Sequence, residues 1–174
     1  RVNLLNTLAL EIRRMDRKQM IPYTQEALQL SRKLNYEKGE GRAMTNKALI
    51  AYDSLDFGNV FTQFEKAQKI LERVDDKEGL AILLRYRGRA HLDEGHYVET
   101  LDDYLKAIKL ADDVGDITLS IDVKSNVGYL YNVIGDDNKA IPYYTEALDQ
   151  SIKIGYKAGM AGAYNAMGKT FKTQ

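Results

Sequence analysis

Residues 120–159 read S-I-D-V-K-S-N-V-G-Y-L-Y-N-V-I-G-D-D-N-K-A-I-P-Y-Y-T-E-A-L-D-Q-S-I-K-I-G-Y-K-A-G, and this stretch decides the fold. Two segments with apolar residues at helical spacing flank Gly135 and Asp136. Val123, Val127, Leu130, Tyr131 and Ile134 form one stripe; Ile141, Tyr144, Ala147, Leu148 and Ile152 form the other. Gly128 falls inside the first segment, where glycine costs about 1 kcal/mol relative to alanine. Its presence predicts a neighbouring helix too close to leave room for a Cβ, with Ala140 and Ala147 as the closely packed residues of the second segment. The stretch is predicted to be a tight helical hairpin.

The hairpin recurs along the chain. Gly88, Gly128 and Gly168 are spaced by 40, with Ala48 one step earlier, and Ala27, Ala67, Ala107 and Ala147 keep the same step. Phe64, Tyr104 and Tyr144 mark a third series, and Asp16, Asp56 and Asp136 fall at one turn, where Asp can cap the second helix. The blocks starting at Ile21 and Ile141 are identical at roughly half their positions, more than helical patterning gives. These residues resemble the tetratricopeptide repeat family, which has L-G-x2-Y on the first helix and A-x3-F on the second. The best match is Val127-Gly128 with Tyr131, then Ala140, Tyr144 and Ala147. The usual tryptophan position holds Met44, Leu84, Lys124 or Tyr164, the terminal proline is missing, and each unit runs about six residues beyond the standard 34. The longer period is similar to the extended repeats of bacterial sensor kinases, transcription regulators and peptide-sensing regulators. The resemblance implies an all-α, right-handed superhelical solenoid of antiparallel hairpins.

Taken in order, the first helix covers residues 1–14, with its partner running from Asp16 to about Leu34. Later hairpins are 37–54 with 57–74, 77–94 with 97–114, and 117–134 with 137–154; a ninth helix starts near Lys157. The repeats are therefore about 1–36, 37–76, 77–116 and 117–156, with a partial repeat over 157–174, in one domain over 1–174. Pro22 and Pro142 lie inside second helices and should kink them or loosen their first turns. Asn35, Asp75, Gly115 and Gly155 share the helix-ending position, where Asn and Gly readily take the left-handed cap. Because the chain starts at Arg1 and stops just before an expected turn, it reads as a fragment of a longer protein.

Composition narrows the function. The 44% apolar content suits one domain with a continuous core, and a net charge of zero argues against broad attraction to nucleic acid or anionic membrane. The absence of cysteine excludes disulfides, thiol catalysis and thiolate metal sites. No apolar run approaches the ~18 residues of a membrane span. The expected setting is a soluble fragment, in cytoplasm or periplasm.

Catalytic constellations are scarce. His91 replaces the repeat tyrosine and reads as a packed histidine; His96 stands at a turn, and a five-residue separation does not put the two on one helical face. Asp75-Asp76 and Asp112-Asp113 lie at helix ends and read as solvated charge rather than an acid–base pair. There is no nucleophile–base set and no phosphate loop, so the chain is not expected to be an enzyme or to carry a cofactor or metal.

The remaining chemistry is recognition. By the resemblance, the first helix of each repeat lines a concave groove. Carried over residue by residue, its positions are Thr45, Leu49 and Tyr52, then Arg85, Arg89 and Leu92, then Ser125, Tyr129 and Asn132, then Asn165 and Lys169. Spacing at i, i+4 and i+7 independently puts each trio on one helical face. Arginine can hold a carboxylate in two prongs and tyrosine offers flat contact area, so an extended protein or peptide segment with an acidic group suits the groove. Arg89 and Asp93 also read as a plain helical ion pair. The family's chaperone-tail-binding members use a Lys/Asn/Arg clamp. Its positions hold Leu5, Ala9, Asn46, Ile82 and Tyr86 in one register and Thr45, Leu49, Tyr86, Asp122 and Asn126 in the next, so neither supplies it.

Two function classes stay open. One is a binding or sensing module of a larger bacterial signalling or regulatory protein; the other is a structural or oligomerisation spacer without a specific ligand. Met160, Ala163, Tyr164, Met167 and Phe171 make a stripe along the last helix, which predicts weak self-association through residues 157–174.

Overall fold

The computed structural model describes residues 1–172, apart from the side chains of residues 57, 171 and 172. The described residues form nine α-helices and no strand: α1 Val2–Arg13, α2 Met20–Lys33, α3 Glu37–Asp53, α4 Phe57–Arg73, α5 Lys77–Asp93, α6 Tyr97–Val114, α7 Ile117–Val133, α8 Asp137–Ile154 and α9 Lys157–Lys172. The expected all-α hairpin architecture is therefore what the chain adopts. Residues 1–87 and 88–174 gather into two compact units, and the division falls within α5. In the first unit, α1 packs on α2, α2 on α3 and α3 on α4, with α1 also alongside α3. In the second, α6 packs on α7, α7 on α8 and α8 on α9, with α7 also alongside α9.

The turns share one construction. The N–H groups of Tyr36, Asp56, Asp76, His96, Asp116, Asp136 and Tyr156 each donate to the carbonyl five residues back. That bond requires a left-handed residue just before each donor, and Asn35, Leu55, Asp75, Gly95, Gly115, Gly135 and Gly155 all have positive φ. Asn35, Asp75, Gly115 and Gly155 are the positions expected to do so. Leu55 is the exception in chemistry: a branched side chain at φ +58°, where the two following repeats have Gly95 and Gly135.

Side-chain capping follows the expected series only in part. Asp136 accepts from Lys139 N–H and Asp16 from Lys18 N–H, whereas Asp56 makes no side-chain cap bond. The two prolines also behave differently. Pro22 is the third residue of α2, where its missing N–H is no loss, and a 3-10 turn, Arg17–Gln19, takes up the residues before it. Pro142 is inside α8, which continues through it without a break.

The seam within each hairpin shows why Gly128 is glycine. A Cβ there would stand 2.6 Å from Cε1 of Tyr144, and one on Gly88 would stand 2.7 Å from Cε1 of Tyr104. Tyr104, Tyr144 and Phe64 are among the largest fully buried side chains. The equivalent pairs along the chain are Leu8 with Thr24, Ala48 with Phe64, Gly88 with Tyr104 and Gly128 with Tyr144. As the first-helix residue shrinks, its second-helix partner grows, which keeps the filled volume near the density a core requires. Ala140 and Ala147 are fully buried, as expected. On α9, Ala163 is buried, Met160 and Met167 are half-buried and Tyr164 is 59% exposed; Phe171 lies outside the described side chains.

The same chemical change should act with opposite sign at two helical glycines. Gly128→Ala overpacks the Tyr144 ring and should cost about 1–3 kcal/mol. Gly162→Ala meets nothing within 4 Å and should gain about 0.5–1 kcal/mol. Leu55→Gly should stabilise by about 0.5–1 kcal/mol, the relief of a left-handed branched residue less the added freedom of the unfolded chain. Urea melts of the three variants check all three signs.

Candidate functional site

The predicted groove residues divide into those that are presented and those that are packed. Leu49 is fully buried and Leu92 is 6% exposed, so both belong to the core and not to a contact surface. Thr45 is also buried, its hydroxyl donating to Gly41 O at 3.2 Å, though it reaches the wall of a small cleft of about 180 Å³ shared with Asn6, Arg42 and Asn46. Tyr52 is half-buried beside Arg13, whose guanidinium lies 5.8 Å from the Tyr52 ring and 5.4 Å from that of Tyr86. Arg85 lies 5.6 Å from the same Tyr86 ring.

In the second unit the structure brings predicted residues together. Tyr129, Asn132, Asn165 and Lys169 line one cleft of about 370 Å³ between α7 and α9, with Tyr144 and Thr170 at its floor. Tyr129 is 44% exposed, and the Arg89 guanidinium lies 5.3 Å from its ring centroid while Nε donates to Asp93 Oδ1 at 3.1 Å. The helical ion pair and the aromatic contact therefore coexist on Arg89. Ser125 is half-buried, its hydroxyl donating to Ile121 O.

Asn132 is the best-determined member of the cleft. Its Nδ2 donates to Tyr144 Oη at 3.0 Å and to Thr170 Oγ1 at 2.9 Å. Thr170 donates its own hydroxyl proton to Ala166 O, which leaves its oxygen as an acceptor and fixes the orientation of the Asn132 amide. Oδ1 of Asn132 then points away, buried, and nothing among the described residues donates to it. Burial pushes the Tyr144 phenol up to about 12, so it stays a neutral partner for that amide.

The histidines come closer than their spacing suggests. The rings of His91 and His96 meet edge-on at 5.7 Å across the turn, and His91 Nε2 is 3.9 Å from Asp103 Oδ2. Among the described residues no group of three His, Asp or Glu side chains is placed to hold a metal ion.

One polar network escaped the sequence reading. Asp75 is exposed, but the Asp76 side chain is 1% exposed, which corrects the expectation of two solvated charges. Arg42 grips Asp76 with two bonds of 2.6 and 2.8 Å and also reaches Glu78 at 2.7 Å; Lys38 stands 3.2 Å from Asp76, and Gly79 N–H donates to it. Burial works against the Asp76 charge, but the Arg42 bonds, the Gly79 N–H and Lys38 together outweigh it and hold the carboxyl below its ordinary range. Lys124, at the family's tryptophan position, is likewise buried and donates to Glu146 at 2.7 Å and to Gln150 at 3.1 Å.

No family model matches the chain. Photosystem I assembly protein Ycf3 of Cyanophora paradoxa is 32% identical over 83 residues, covering 47% of this chain and 46% of that protein. The protein of the same name from Prochlorococcus marinus is 31% identical over 93 residues, covering 53% and 52%. The chain thus spans about half the length of the curated relatives it matches. Among solved structures, aspartyl phosphate phosphatase F from Bacillus subtilis superposes with a TM-score of 0.79 at 13% identity, over 99% of this chain and 49% of that one. The chain is a tetratricopeptide-like helical repeat protein.

In a repeat protein of this kind stability is close to a sum over units and their interfaces, so a polar link between successive first helices matters. Arg42 on α3 and Asp76 at the start of α5 are such a link. Asp76→Asn leaves Arg42 buried without its carboxylate and should cost about 3–5 kcal/mol at neutral pH. Because the folded carboxyl is depressed, its contribution is present above the unfolded value of about 4 and is lost as pH falls through the folded value. Urea melts at neutral and acid pH should therefore converge for the parent and the variant at the acid end.

Proposed function

We propose that the chain is a protein-interaction repeat module that holds an extended peptide segment of a partner on the first-helix face of its second unit. The observation that carries this reading is the cleft of about 370 Å³ in which the exposed Tyr129, Asn165 and Lys169 converge on the amide of Asn132. Tyr129 offers flat contact area, and Lys169 and Asp137 give the cleft one charge of each sign with which to meet polar groups of the segment. The reading assigns recognition and no catalysis.

The role of the relatives in photosystem I assembly, which their name states, supports a function in bringing protein partners together. The 40-residue period supports a narrower version, in which the module is the sensing or interaction region of a larger bacterial regulatory protein. A second reading, a spacer that self-associates through α9, draws on the exposed Tyr164 between half-buried Met160 and Met167.

Display selection of random peptides on the immobilised chain tests the first reading. Tyr129→Ala with Lys169→Ala should weaken the selected peptides by about 2 kcal/mol or more, with unchanged helicity. Peptides that bind the double variant as well as the parent would move the site elsewhere. Sedimentation of Tyr164→Glu against the parent decides the second reading.

A further inference from the structure

Gly162 stands in the wall of the α7–α9 cleft with no packing reason to be glycine. At Gly88 and Gly128 a ring of the partner helix occupies the place of a Cβ, whereas a Cβ on Gly162 would meet nothing within 4 Å. Its backbone is helical, so no left-handed conformation calls for glycine either. Glycine weakens a helix interior, and the equivalent positions hold Val2, Arg42, Ile82 and Asp122. Every other first helix carries a side chain here, and α9 leaves it out.

The omission leaves room in the cleft. In the first unit, the small cleft beside α1, α3 and α5 is lined by two of those equivalents, Arg42 and Ile82, and holds about 180 Å³. The α7–α9 cleft, lined by Gly162, holds about 370 Å³. That is at the small end of the range of about 300–1,000 Å³ typical of ligand sites, and suits one large side chain of a bound segment.

The lining around this notch sorts what can enter. On α9, Gly162 is one turn from Ala166; across the cleft α7 contributes Tyr129 and Val133, 44% and 43% exposed. The Tyr129 ring is braced by the Arg89 guanidinium, 5.3 Å from its centroid, which is itself bonded to Asp93. A braced ring facing bare helix backbone makes a slot, and aromatic pairs in offset or edge-on contact gain more than their buried area alone. The charged residues of the lining are Lys169 and Asp137, one of each sign, so the cleft has no net charge that would favour a charged side chain. The amide of Asn165 is exposed and can meet an O–H or N–H at the edge of an incoming ring.

We propose that the notch at Gly162 seats a neutral aromatic side chain of the bound segment, tyrosine or tryptophan. This rests on the reading of the cleft as a peptide site and adds the residue that the site selects. The ring lies against the Gly162 backbone and packs on Tyr129, while Asn165 meets its polar edge. Gly162 determines specificity by the side chain it lacks.

The test uses the full chain and Gly162→Leu, whose side chain fills the notch. Leucine favours a helix over glycine and meets no neighbour, so the variant should melt at or above the parent temperature. Random peptides selected on the parent should be enriched in tyrosine or tryptophan at one position. In fluorescence anisotropy, replacing that residue by alanine in a labelled synthetic peptide should weaken binding by about ten-fold or more, and so should Gly162→Leu with the aromatic peptide. Because the ring and the notch meet, the two losses should not add: Gly162→Leu should leave the affinity of the alanine peptide nearly unchanged. If Gly162→Leu does not fold, Gly162→Ala should weaken the aromatic peptide in the same direction, by less. Selected peptides without an aromatic preference, aromatic peptides that the folded Gly162→Leu binds as tightly as the parent, or losses that add in full would overturn this inference. The peptide cleft itself would then still stand if Tyr129→Ala with Lys169→Ala weakens the same peptides. Peptides that no variant weakens, or no selected peptides at all, would overturn the cleft reading and this inference with it.

Discussion

The close approach of paired helices at Gly88 and Gly128 is the constraint on which the rest of the structure depends. An aromatic ring lies where a Cβ would be, at 2.7 Å for Gly88 and 2.6 Å for Gly128. Because side-chain volume must be conserved across such a seam, the partner of a small residue has to be large. The chain keeps this balance with different residues, from Leu8 and Thr24 at one end to Gly128 and Tyr144 at the other. The Tyr144 hydroxyl, brought by that packing to the floor of the cleft, then orients Asn132. The seam that holds the hairpin together thus also aims the polar group on its exposed side.

A second constraint acts between repeats. The first helices α3, α5, α7 and α9 each follow a left-handed turn, and before α5 and α9 a side chain early in the preceding first helix reaches the residue after that turn. Arg42 reaches Asp76, and Asp122 accepts from Tyr156 at 3.2 Å, both across 34 residues. The contact is repeated but its chemistry is not: a bidentate ion pair in one place, a phenol-to-carboxylate bond in the other. Repeats need not share residues to share an interface, provided each pair is complementary.

That difference explains what the sequence could reveal. Features written in every repeat were legible: the hairpin period, the left-handed positions at Asn35, Asp75, Gly115 and Gly155, and the buried alanines. Arg42 and Asp76 were not, because positions 42, 82, 122 and 162 hold Arg, Ile, Asp and Gly, and no period draws attention to a pairing used once. The cleft was legible in direction but not in depth. Helical spacing put Thr45, Leu49 and Tyr52 on one face, as it did Ser125, Tyr129 and Asn132. Spacing says nothing of whether neighbouring side chains cover that face, and Leu49 is covered where Tyr129 is not.

The departures from periodicity are therefore where specificity has to be sought. A residue that repeats every 40 positions serves the fold, since each hairpin must meet its neighbours in the same way. Tyr129 and Lys169 stand where the repeat tolerates Leu49 and Arg89, and Val98 stands where it tolerates Lys18 and Asn138. None of these substitutions is demanded by the seam, and each leaves its side chain at least partly in solvent. Two sides of α7 consequently differ in chemistry, polar and amide-bearing towards α9, apolar towards α6. A scaffold whose packing tolerates such exchanges can vary the two faces separately, because neither draws on the volume balance that keeps the helices together.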